Sequence, residues 1–214
     1  MGIYIEAISL YILLFFSGSI TQITGTAAAA DFSAIAGILK IILYLIPALA
    51  LIWYLILRTW KLEYWILKPG KKDLISGFIT FPCLLITGFI IAFLSSFFSG
   101  TVIQPAITTP SSVMEWVILF IICFLSAYLE ESYFRFYILT KRKKLNLSDT
   151  SALALSVILF SICHIYMGPW GFLNAVISGT FLGFMFLRFN SLHGIAIAHG
   201  LYNIAVYVIY AIMN

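Results

Sequence analysis

The segment Glu130-Glu131-Ser132-Tyr133-Phe134-Arg135 stands inside an apolar run, 113 to 140, long enough to cross a bilayer. A charge near the bilayer centre costs at least about 2.5 to 3.5 kcal/mol on insertion scales, so two carboxylates and a guanidinium there call for a partner or a function. Helix geometry separates the two acids. Glu131 and Arg135 are four apart with the acid N-terminal, the favourable order for an ion pair on one face. Glu130 is five residues from Arg135 and projects about 100° away from Glu131. The spacing predicts a Glu131–Arg135 pair and leaves Glu130 for other chemistry. The plainer account is a buried charge triad that only fixes helix packing.

The histidines lie in the last third of the chain. His164 ends the run Phe160-Ser161-Ile162-Cys163-His164, and the last run contains His199-Gly200-Leu201-Tyr202-Asn203. His199 and Asn203, one turn apart, face the same way. His193 falls on a different face near the end of its helix and reads as a boundary residue. At about 1.5 Å per residue, Glu130 and His199 both sit roughly 14 to 17 Å from the same membrane face, and His164 roughly 18 to 22 Å. Ordinary tilt of about 20° narrows that difference. Polar groups on three helices therefore converge near one depth, the behaviour expected of groups lining a site.

Glu130, His164, His199 and Asn203 are the parts needed to hydrolyse a peptide bond in a wet cavity. A glutamate can act as general base on water, imidazoles relay protons or bind metal, and an Asn amide donates to an oxyanion. Two mechanisms fit. In one, His164, His199 and Glu130 hold Zn²⁺ or another divalent metal whose bound water attacks. In the other there is no metal; Glu130 and His164 activate water while His199 and Asn203 form the oxyanion hole. The sequence has no HEXXH and does not choose between them.

Composition sets the class. With 63% hydrophobic and 9% charged residues and a mean hydropathy of +1.08, the chain is outside the soluble range. Seven runs of spanning length are expected: 3 to 23, 38 to 57, 74 to 98, 113 to 140, 150 to 167, 171 to 188 and 191 to 213. The first has no basic n-region or evident cleavage site and is kept as a span; the second is the weakest, being preceded by an Ala-rich stretch broken by Asp31. The expected fold is an all-α polytopic bundle of about seven transmembrane helices, one domain over 1–214 with its catalytic core at about 113–214. Arg58, Lys61, Lys68, Lys71, Lys72, the Lys141-Arg142-Lys143-Lys144 cluster and Arg188 place ten of the twelve basic residues on one side. The positive-inside rule makes that side cytoplasmic, giving N-in and C-out. Trp60, Tyr64 and Trp65 read as an interfacial anchor, Ser112 with Glu115 as a capping box, Ser148 as a cap, Pro82 as a kink and Gly179-x-x-x-Gly183 as a close-packing motif. Cys83, Cys123 and Cys163 fall inside spans as small apolar residues. The modest net charge speaks to orientation in the bilayer and not to nucleic acid.

Glu130-Glu131-x-x-x-Arg135, Phe160-x-x-x-His164 and His199-x-x-x-Asn203, in this order, resemble the three motifs of the CPBP family, the CAAX protease and bacteriocin-processing (Abi) intramembrane proteases. The likeness runs from Val113 to the C-terminus and includes the Gly-rich sixth helix and Arg188-Phe189-Asn190-Ser191-Leu192. It implies a catalytic base at Glu130, catalytic or metal-binding roles for His164 and His199, an oxyanion donor at Asn203, and a supporting Glu131–Arg135 pair. One position departs: the family commonly has Gly after the arginine, and Phe136 here is expected to narrow the cavity or alter packing. The resemblance implies a membrane endopeptidase, metallo or glutamate type, in the bacterial cell membrane. Its substrate would be a membrane-associated peptide or protein, such as a bacteriocin or pheromone precursor. The alternative is a non-proteolytic member serving as a bacteriocin-immunity factor or membrane scaffold. A transporter would also use intramembrane charges, but paired broken-helix halves are not seen.

Overall fold

A computed structural model describes residues 2–16, 32–59, 68–98 and 108–213, and among the described residues all regular structure is helical. Helix α1 is Gly2–Tyr11 continued by a π-helical turn, Ile12–Phe16. Helix α2 joins Ala34–Lys40, a π-helical turn Ile41–Leu45 and Ile46–Thr59. Helix α3 is Lys71–Phe98. Helix α4 runs through Val113–Glu130, a π-helical stretch Glu131–Tyr137 and Ile138–Lys141. Then come α5, Asp149–Ile162, a 3₁₀ turn Ile165–Met167, α6, Gly168–Phe189, and α7, Leu192–Met213.

Among the described residues five stretches are long and apolar enough to span: Ala34–Leu57, Lys71–Phe98, Val113–Lys141, Ile165–Phe189 and Leu192–Met213. The other two apolar helices are shorter, Tyr4–Phe15 and Asp149–Ile162. This corrects the expected fifth span, because α5 has 14 residues and rises only about 21 Å against a hydrocarbon core of about 30 Å. The break is local chemistry. Gly168 takes φ 76°, ψ −178°, a conformation open to glycine, and Pro169 then starts α6 where its missing N–H costs nothing. The anchor Trp60, Tyr64 and Trp65, the residue Asp31 and the far half of the first run lie outside the described residues.

The capping readings hold. Ser112 and Glu115 form the reciprocal box that starts α4, and the Ser148 hydroxyl accepts from the Ser151 amide at the start of α5. Pro82 sits within an unbroken α3. The Gly179/Gly183 stripe brings α6 against α5, since a Cβ on Gly183 would stand 2.3 Å from Leu153 Cδ1 and one on Gly179 2.9 Å from Phe160 Cδ1. Between α6 and α7 the chain turns through Asn190, whose left-handed φ of 46° ends α6 and whose carbonyl accepts from Lys72 Nζ. Ser191 donates to Asp73 Oδ1 at 2.6 Å and accepts from the Gly194 amide, joining the starts of α3 and α7.

The core is thickest in the half of the bundle nearest the basic loops. Tyr133, Phe134, Phe136, Tyr137 and Phe186 are fully buried there. Helix α1 packs on this block: Tyr137 and the buried Lys141 both donate to Glu6 Oε1, and Tyr133 donates to the Ala7 carbonyl. Outward faces carry bare apolar side chains such as Phe78, Val113 and Ile212, as lipid contact requires.

Candidate active site

The site is built where α4 leaves the α-helical repeat. Glu130 is the last α-helical residue and Glu131 the first of the π-helical stretch; such wide turns recur at functional sites. The Glu131 and Arg135 side chains are both 0% exposed, with Arg135 Nη1 3.0 Å from Glu131 Oε1. The expected pair is therefore present. Arg135 also donates from Nη2 to the Gly179 carbonyl at 3.2 Å and lies 4.3 Å above the Phe160 ring, so one guanidinium joins α4, α5 and α6.

The same Glu131 oxygen has a second role that spacing did not reveal. His199 Nδ1 stands 2.8 Å from Glu131 Oε1. A carboxylate can only accept, so Nδ1 carries the proton and the ring turns Nε2 towards the other acid. Nε2 lies 3.8 Å from Glu130 Oε2. That oxygen is buried and has no hydrogen-bond partner among the described residues, although the Glu130 side chain as a whole keeps 21% exposure. An unpartnered carboxylate oxygen at this depth is costly.

His164 follows the end of α5, with φ −106° and ψ 5°. Its Nδ1 lies 2.8 Å from the Phe160 carbonyl oxygen; a carbonyl accepts, so Nδ1 donates and the neutral ring keeps the Nε2 lone pair. Phe160 steadies it from below, with ring centroids 4.5 Å apart. Glu130, His164, His199 and Asn203 all line one cavity of about 290 Å³. The four predicted residues are thus brought together, and Glu131 with Arg135 lies immediately beneath. His193 is outside this lining and is 3.2 Å from the Tyr128 hydroxyl through Nδ1.

Phe136, the position departing from the expected motif, does not narrow the cavity. It is fully buried on the other side of α4, stacked near Trp53 and edge-on to Phe186.

Sequence reasoning missed several lining groups: Ser126 on α4, Tyr166 beyond His164, Asn174 on α6 and Tyr202 on α7. Asn174 Nδ2 donates to the Tyr202 hydroxyl at 3.0 Å, while its Oδ1 is buried without a partner. An amide inside an apolar span was the available signal, by the same cost argument that singled out the acids. Among the described residues no group of three His, Cys, Asp or Glu side chains is set to hold a metal ion, so Glu130, His164 and His199 as placed do not form a three-ligand set.

Residues 112–205 match the model of a family described as type II CAAX prenyl endopeptidase, Rce1-like. No curated protein and no solved structure matches the chain.

Proposed function

We propose, from the likeness of residues 112–205 to the Rce1-like type II CAAX prenyl endopeptidase family, that the chain is an intramembrane endopeptidase centred on Glu130, His164, His199 and Asn203. The observation that carries the reading is the Glu130 oxygen, without a hydrogen bond among the described residues and 3.8 Å from His199 Nε2, on a cavity that His164 and Asn203 also line.

In this reading a water held between Glu130 and the free Nε2 of His164 gives its proton to Glu130 as its oxygen attacks the substrate carbonyl carbon. The oxyanion is met by the Asn203 amide and by His199, which donates from Nε2 when protonated there. Glu131 accepts the opposite N–H, orienting the imidazole and balancing that added proton. Collapse breaks the C–N bond, and Glu130 returns the proton to the leaving amine. No step runs through a metal; metal content of the purified protein and its sensitivity to chelators test that separately.

The substrate class is a membrane-associated peptide or protein, with bacteriocin and pheromone precursors as candidates and the bacterial cell membrane as the setting. Comparative peptidomics of cells carrying wild-type and Glu130→Ala protein tests the reading. Products present with the wild type should be lost and their precursor should accumulate, with the variant still in the membrane. Identical peptide profiles, with function retained, would point to a scaffold or immunity protein instead.

A further inference from the structure

We infer that the Glu130 cavity opens to the membrane face opposite the basic loops, so that the substrate is a segment presented from the extracytoplasmic side. The inference deepens the hydrolase reading by naming the side from which a substrate arrives; only the word substrate rests on that reading.

Depth on three helices gives the direction. On α4 the cavity is lined by Ile122, Cys123 and Ser126 as well as Glu130. All three precede Glu130, towards Val113, and the lining rises about 12 Å above it at about 1.5 Å per residue. On α7, which runs the other way, Val206 and Tyr207 line it beyond His199, again about 12 Å farther from the basic end. On α6 the lining extends from Ser178 up to Gly171, within about 5 Å of the start of that helix at Gly168. Every wall thus continues from the acids in one direction, away from Lys141–Lys144.

The other direction is closed. Below Glu130, Arg135, Tyr133, Phe134 and Phe136 have zero exposure and Phe186 only 1%. The early end of α5 explains the asymmetry. A helix stopping at Ile162 leaves the last third of its column to the thin turn that carries His164 and Tyr166, so among the described residues the lining lies above the site and the packed block below it. Ten of the twelve basic residues mark the closed end as cytoplasmic, which places the mouth outside.

Cysteine labelling tests this without reference to turnover. In a chain with Cys83, Cys123 and Cys163 replaced by Ala, Ser126→Cys and Val206→Cys are introduced singly, and Lys144→Cys reports the basic face. A membrane-impermeant maleimide is applied to right-side-out cells and to inverted vesicles. The expected result is that Ser126→Cys and Val206→Cys react from the face on which Lys144→Cys is silent, and not from the other. Reaction from the same face as Lys144→Cys overturns the inference. So does reaction with a membrane-permeant reagent alone, which would mean lateral access from lipid, or with neither reagent. If one variant fails to accumulate, the other still decides. Labelling from the outer face together with unchanged peptide profiles on Glu130→Ala would sink the hydrolase reading and leave the direction of access standing.

Discussion

Removing charge from the buried pair beneath the site separates what holds the bundle together from what serves chemistry. Arg135→Met leaves the Glu131 carboxylate, 0% exposed, without its cation; Glu131→Gln leaves the guanidinium without its paired anion, beside the Gly179 carbonyl and the Phe160 ring. Each single change strands a buried charge and should cost about 3 to 5 kcal/mol, whereas replacing both partners is often neutral or stabilising by about 1 to 4 kcal/mol. The double variant should therefore be more stable than either single one, with a coupling above about 3 kcal/mol. Equilibrium unfolding in mixed micelles, with the folded yield from membranes, measures the cycle. The side-chain amide introduced by Glu131→Gln can still accept from His199 Nδ1 through its carbonyl oxygen, so the ring keeps its orientation, but no anion at that position balances a proton on Nε2. Turnover should stay low in the double variant even as folded protein returns. Additive losses, with the double variant the least stable of the three, would refute the reasoning.

Other expectations follow from single contacts. His164→Ala should abolish product formation while membrane levels persist, read by the same peptidomic comparison. Gly179→Ala should lose about 1 to 3 kcal/mol through overpacking, because its Cβ would lie 2.9 Å from Phe160 Cδ1 and 3.4 Å from Arg135 Nη2; thermal unfolding in detergent checks this. Ser191→Ala takes away the hydroxyl that bonds Asp73 at 2.6 Å and should cost about 1.5 to 3 kcal/mol in the same assay. Ser112→Ala removes the α4 cap and should cost about 1 kcal/mol.

Groups whose geometry is fixed by short sequence separation were legible. Glu131 and Arg135 are one turn apart, and Ser112 and Glu115 share a first turn, so both contacts could be written down before any fold was known. Convergence of Glu130, His164, His199 and Asn203 on one cavity followed from counting residues inwards from the charged ends. The rest depended on terms that periodicity does not contain. The contacts of the two acids with the two nitrogens of His199 join residues 68 and 69 positions apart, which the local spacing of Glu130 and Glu131 does not contain. The early stop of α5 falls at Cys163 and His164, where His164 takes φ −106° and ψ 5°, a break that no periodicity in the sequence marks. Phe136 needed to be placed on a face, and only the neighbours Trp53 and Phe186 decide which.

The sealed aromatic block beneath Glu131 has an electrical consequence. A cavity reached from one side only, as inferred above, makes a blind well, in which ionisable groups can meet water at this depth without forming a proton wire. Most of the membrane potential, worth about 2.3 kcal/mol per unit charge per 100 mV, then drops across the dry half, and a proton bound at Glu130 exchanges with the bulk phase at the mouth.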